Sequence, residues 1–315
     1  YMITSFFKTS KPIHYIIFII VLTFVFAYQR IIVGNQAINL VNSLKEVGYL
    51  FVVLASFVTL IFIVTKNSLT HKNSYAALYF CLFIGLVPSC LELNLILVSN
   101  LFVMLSLRRI ISLKTKTNIK KKLFDASMWI CLAAIFEPLA ILFLVLLFMG
   151  MLFYSIAQIK NVAIPFLGIL TVAILITCFR LLSEGILPDA NEYLPVFSLD
   201  ALTSNYVLTQ GTSLLFLAVT LFAVLKFAIR GVLKNRRNNP NFLVLIFAVF
   251  IGISIVFLGA HTHLGGYFFA VAPSAVIVAN FSETTKYRWL SELILGLLVF
   301  AIVLQFGFNI SSLLK

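Results

Sequence analysis

Uninterrupted apolar runs, each on the order of 15 to 22 residues, recur from one end of the chain to the other, separated by short polar or basic breaks. A soluble domain alternates its apolar stretches with polar ones; this chain does not. Read by run and by flanking residues, the pattern predicts helical spans near 14–33, 47–65, 75–91, 94–109, 124–136, 139–156, 162–180, 211–229, 242–260, 267–281 and 289–310. Two stretches, 75–109 and 124–156, read either as one long helix each or as hairpins of two short helices. As single helices each would measure about 50 Å against a hydrocarbon core of about 30 Å. Each also carries a carboxylate near its middle, Glu92 and Glu137, beside a helix-interrupting Pro88 or Pro138. Hairpins are therefore expected, which makes about eleven transmembrane helices. The segments 75–91 and 124–136, about 20 to 26 Å long as helices, are expected to stop below the outer surface and leave a recess there.

The polar breaks have patterns of their own. In the first outer loop, Ile38, Val41, Leu44 and Val47 recur at helical intervals among Asn35, Gln36, Asn39, Asn42, Lys45 and Glu46, which predicts an amphipathic outer helix over 34–46. The longest break, 181–210, interleaves Pro188 and Pro195 with Tyr193, Phe197 and Tyr206 and is expected to be a folded, partly embedded outer loop. The reading is of an all-α polytopic integral membrane protein, a single transmembrane helical domain over 1–315.

Composition agrees and excludes the soluble classes. Hydrophobic residues make up 62% of the chain and charged residues 10%, with a mean hydropathy of +1.11. The net charge of +13 would suggest nucleic acid in a soluble protein, but its distribution follows the positive-inside bias instead. With eleven spans and a cytoplasmic N-terminus, only Arg30, Lys45, Arg180 and Lys315 of the 23 basic residues fall outside. Fusing 124–156 into one helix would send Lys160, the five basic residues of 226–237, Lys286 and Arg288 to the wrong side. The bookkeeping predicts a multi-pass protein of the bacterial inner membrane, its C-terminus periplasmic and its first apolar run an uncleaved span without an A-x-A site. The inner basic patches, 114–122 and 226–237, suit anionic lipid headgroups and hold too few aromatic residues for nucleic acid. Cys81, Cys90, Cys131 and Cys178 form no CxxC pair and read as small fillers.

Candidate chemistry lies on the outer side, where seven of the ten acidic residues fall. Glu92 and Glu137, each at a hairpin tip, are candidate catalytic carboxylates that would converge in one recess; hairpin tips also collect polar residues without any site. Gly259 to Gly266 contains an HxH pair in a glycine-rich turn. His263 is placed with the catalytic candidates and His261 with the substrate-binding ones, as a proton-responsive pair; two ligands do not make a metal site and none is assigned. Arg180 suits a phosphate or carboxylate, or an ion pair with Glu184 four residues on. Glu46 completes the substrate-binding candidates. No Walker loop, GxSxG, HExxH or dinucleotide fingerprint occurs, and no cofactor is identified.

The opening Met2 to Ile13, the Leu123-Phe124-Asp125-Ala126-Ser127 entry to the Glu137-Pro138 hairpin, and the stretch from Ala272-Pro273 to Ala279-Asn280-Phe281 resemble an uncharacterised family of polytopic inner-membrane proteins found in Bacteroidota. The resemblance runs along the whole chain and implies the fold without an activity. A weaker likeness is to the C-type glycosyltransferase fold, whose members combine many spans, an amphipathic helix after the first span, an outward acidic residue and a polyprenyl-phosphate sugar donor. Where those enzymes place Asp or Glu early in the first outer loop, this chain has Gly34, Asn35 and Gln36, with Glu46 only at the loop's end. The expectation is an outward-facing, lipid-accessible site for a polyprenyl-linked glycan or similar amphiphile in cell-envelope assembly. Its partners would be membrane lipids, a polyprenyl-phosphate-linked substrate and other membrane proteins. The alternatives are a noncatalytic subunit of an envelope complex and a transporter.

Overall fold

The computed structural model describes residues 6–33, 40–185, 187, 189, 193–197, 211–233, 240–259, 264–285 and 288–313. Eleven long helices carry them: α1 Pro12–Ala27, α2 Leu40–Lys66, α3 Tyr75–Leu86, α4 Asn94–Ser112, α5 Ile119–Phe136, α6 Phe143–Phe153, α7 Ile164–Glu184, α8 Gly211–Leu233, α9 Pro240–Leu258, α10 Phe268–Thr284 and α11 Arg288–Leu313. Among the described residues there is no strand, only an isolated antiparallel bridge between Phe197 and Gly259. Among the described residues seven helices are long and apolar enough to cross a membrane: Pro12–Ile31, Val41–Lys66, Asn94–Thr115, Ile159–Glu184, Pro240–Leu258, Gly265–Thr284 and Trp289–Gly307.

Both expected hairpins form, and by the same device. Steric conflict with a proline ring drives the preceding residue out of the α region. Val87 accordingly takes φ −125° and ψ 67°, and Glu137 φ −139° and ψ 102°. Pro88 and Pro138 then open the short 3-10 turns Pro88–Leu91 and Pro138–Leu142, where a missing N–H is tolerated, before the chain turns back as α4 and α6. α3 and α6, of 12 and 11 residues, are about 18 and 17 Å long and shorter than the hydrocarbon core.

Polar contacts sort the helix ends into two sets. At one end, His14 Nδ1 lies 3.0 Å from Ser74 Oγ, Tyr79 Oη lies 2.7 Å from Ser282 Oγ, and Tyr154 Oη donates to Asn241 Oδ1 at 2.8 Å. Arg109 pairs with Asp125 at 2.8 Å at that end, tying α4 to α5. These contacts join the ends of spans that adjoin the loops expected to be cytoplasmic, so this is the basic end. The opposite end holds the tips of both hairpins, the end of α1 and the start of α2. Leu40 to Glu46, expected within a separate amphipathic helix over 34–46, form the first turns of the continuous α2, while 34–39 lie outside the described residues. Gly48 and the apolar residues on either side of it supply no helix-ending signal, so α2 runs on to Lys66.

The core is built around α10 and α3, apolar on every face and almost entirely buried. Every residue from Phe268 to Phe281 is buried, and small side chains at Ala270, Ala272, Ser274, Ala275 and Ala279 let neighbouring helices approach closely. The tightest approach is at Gly252 of α9, where an added Cβ would stand 2.8 Å from the backbone nitrogen of Ala270. α7 packs on α5 through Gly168, whose missing side chain leaves room for Ser127. Among the cysteines, Cys81, Cys90 and Cys131 are buried fillers, whereas Cys178 is exposed on α7.

Candidate functional site

Regular α-helix stops at Ala27, and Tyr28–Val33 continues as a π-helix. The local sequence Tyr28-Gln29-Arg30 explains what that wider turn achieves. In an α-helix adjacent side chains diverge by about 100°, so one of three consecutive polar side chains at the end of a span would face lipid. Here Tyr28, Gln29 and Arg30 are all buried, Gln29 and Arg30 at 4% exposure each. Single π-turns of this kind recur at functional sites.

Around them the start of α2 and the tip of the first hairpin supply partners. Gln29 Nε2 donates to Glu92 Oε1 at 2.9 Å. Arg30 Nη2 donates to Asn94 Oδ1, and Arg30 Nε lies 3.5 Å from Glu46 Oε2. The guanidinium is also 5.5 Å from the ring centroid of Phe26 and 5.6 Å from that of Tyr49, so its charge is held by aromatic faces as well as by carboxylate. Glu46 and Asn94 are half-buried, and Glu92 is exposed at the rim. One cation against two carboxylates leaves the cluster with one excess negative charge.

Three polar atoms inside the cluster, Gln29 Oε1, Arg30 Nε and Glu46 Oε2, are buried without a hydrogen-bond partner among the described residues, while the neighbouring Tyr28 packs its ring on Phe306 of α11 at 4.4 Å between centroids. At 3.5 Å the Arg30–Glu46 pair is close enough for Coulombic attraction and too long for a good hydrogen bond. Buried polar groups are nearly always satisfied, and an ionisable group within a membrane span marks a site before it marks a support. Unfilled donors and acceptors from a guanidinium, a carboxylate and an amide, with a second carboxylate at the rim, are chemically able to pair with further polar groups.

The sequence-predicted candidates distribute unevenly about this cluster. Glu46 and Glu92 belong to it. Glu137 sits half-buried at the other hairpin tip, its backbone N–H on Ala133 and its carbonyl accepting from Ala140. The two tips pack against different elements, Pro88–Leu91 on the π-turn of α1 and on Leu264–Tyr267, Pro138–Leu142 on α5, α6 and α9. Arg180 Nη1 donates to Glu184 Oε2 at 2.9 Å, the local i,i+4 pair that the spacing allowed. His261 and His263 lie outside the described residues, as does most of 186–210. Gln29, Arg30 and Asn94 were not among the candidates. Their signal was present in the Tyr-Gln-Arg triplet closing an apolar run, and in Arg30 as one of four basic residues on the side that avoids them.

A family model of unknown function, DUF6427, matches residues 7–314, and the chain belongs to that family. No curated protein and no solved structure matches it.

Proposed function

Starting from membership of a family without an assigned activity, we propose that the protein is a bacterial inner-membrane protein whose outward-facing site takes the hydroxyl-rich headgroup of an amphiphile. The substrate class is a polyprenyl-linked glycan or a similar glycolipid in cell-envelope assembly. The observation that carries this reading is the cluster at the break in α1, with its unfilled polar atoms and its excess negative charge. A bare phosphate would be repelled by the two carboxylates, whereas sugar hydroxyls donate to Glu46, Glu92 and Gln29 and accept from Arg30. Access from lipid is supported by the adjoining surface. Ile31, Val41, Leu44, Val47 and Phe51 are exposed apolar side chains beside the cluster, and an acyl or prenyl chain solvates them. In a transfer reaction Glu92, at the rim, has the exposure of a general base, while Arg30 orients Glu46.

Native mass spectrometry of the protein gently solubilised from its own membranes tests this. A glycolipid or polyprenyl-phosphate-linked glycan mass is expected on the wild type and should be lost in Gln29→Leu and Glu92→Gln. Stoichiometric protein partners with no such lipid would overturn the reading in favour of a structural subunit of an envelope complex.

A further inference from the structure

A second site lies at the basic end, remote from the cluster at the α1 break. A cavity of about 320 Å³ opens between α1, α2 and the start of α3, within the size range of small-molecule sites, about 300 to 1,000 Å³. Its rim is polar and one-sided in charge: Ser10, Thr65, Ser68, His71 and Lys72 line it, all exposed, and no carboxylate does. Its floor is apolar and buried, formed by Leu60, Val64, Ala76 and Ala77.

The rim is built and not merely a loop surface. Glu283 of α10 holds the segment that carries the cation, accepting from the backbone N–H of His71 at 3.1 Å and from Asn73 Nδ2 at 2.5 Å. That carboxylate is therefore engaged with the back of the loop. The C-terminal carbonyls of α2, which would repel an anion, are taken up locally. Asn67 donates to Ile63, and Leu69 N–H reaches Val64 across Ser68, which adopts the left-handed φ of 47° typical of a helix close. Ala76 and Ala77 stand in the first turn of α3, where backbone N–H groups lack intrahelical acceptors and the helix dipole is positive.

Thr65 Oγ1 donates to the Ile61 carbonyl at 2.8 Å, so a cation, the Ser10 and Ser68 hydroxyls and a helix N-terminus above an apolar floor are what fit an anion attached to hydrocarbon. The flanking helices expose Ile16, Ile20 and Val58, surfaces that acyl chains solvate. We infer that this cavity binds the phosphate headgroup of an anionic phospholipid from the leaflet at the basic end, with Lys72 as the paired cation and the glycerol end on the Leu60–Ala76 floor. Anionic lipids populate the cytoplasmic leaflet and attract basic residues there, so the site fits the orientation predicted from charge.

The test uses the full-length protein in detergent micelles, titrated with dioleoylphosphatidylglycerol or dioleoylphosphatidylcholine and read by native mass spectrometry. Wild type is expected to retain phosphatidylglycerol in preference to phosphatidylcholine. Lys72→Ala should weaken that binding about tenfold or more by removing a charge-assisted bond, Lys72→Arg should keep most of it, and Lys121→Ala, on the exposed start of α5, should leave it unchanged. Equal retention of the two lipids, or wild-type binding by Lys72→Ala, would overturn the assignment. Displacement of phosphatidylglycerol by inorganic phosphate alone would assign the cavity to a free phosphate instead of a lipid; persistence of the lipid supports the headgroup. Lys72 is an exposed loop residue, so its loss leaves the packed core intact.

Discussion

Arg30 is the residue on which the outer cluster turns, because it is a buried cation whose partners come from three separate elements. Removing it would leave Glu46 half-buried and without its cation, and the cost of such an orphaned charge is about 3 kcal/mol or more. Arg30→Ala is therefore expected to lower stability in a denaturant titration in micelles by about that amount, whereas Arg180→Ala, which breaks an exposed i,i+4 pair, should cost no more than about 0.5 kcal/mol. Equal effects of the two would mean that Arg30 is solvated and the cluster is not a buried site. A double-mutant cycle of Arg30→Ala with Glu46→Ala should show coupling of about 1 kcal/mol or more, since the two groups share one interaction. At this scale the sequence was partly legible. It singled out Glu46 and Glu92 as outer carboxylates and Arg30 as a basic residue on the side that avoids them. The pairing of Gln29 with Glu92, 63 positions apart, was not legible, because it depends on the π-turn, which no local propensity announces.

Helices were the most legible level, because lipid or apolar neighbours solvate every face and each apolar run marks a helix, although α2 starts at Leu40 and not 47 and α3 stops at Leu86 and not 91. The two hairpins were legible for a second reason, since proline opposes helix at the preceding residue and prevails at Val87 and Glu137, although Pro273 is carried inside the buried α10. What was hidden is which faces touch. Gly252 carries no sign of its role in the sequence, yet its Cα lies against the backbone of α10. A methyl group there would meet the Ala270 nitrogen at 2.8 Å and the Phe269 carbonyl carbon at 2.9 Å, and backbone in the most buried helix of the protein does not yield cheaply. Gly252→Ala is expected to destabilise by about 2 kcal/mol, while Gly296→Ala, with nothing within 4 Å of the new methyl, should be neutral or stabilising by about 0.5 kcal/mol. Parallel thermal melts of the two variants in one detergent decide this, and a neutral Gly252→Ala would mean that α9 and α10 are further apart than the contact implies.

For the molecule as a whole, the charge asymmetry and the contact map are independent sources that divide the chain in the same way. The hydrogen bonds sort helix ends into two sets without reference to charge, and the described basic residues other than Arg30, Lys45 and Arg180 then fall on one of them. The positive-inside bias assigns the basic end to the cytoplasm. The proposed glycolipid substrate requires that assignment, since a glycan-bearing lipid built into the envelope has to reach the periplasmic side. Single cysteines in a Cys178→Ala background separate the two orientations, because Cys178 is the one exposed native thiol among the described residues. Lys45→Cys, exposed beside Glu46, should react with a membrane-impermeant maleimide on intact cells with a permeable outer membrane. Lys116→Cys, exposed at the basic end, should react only after the inner membrane is opened. The reverse pattern would place the Arg30 cluster on the cytoplasmic face and Lys72 on the outside, which would remove the basis for a periplasmic glycolipid substrate and leave the pairings within the cluster untouched.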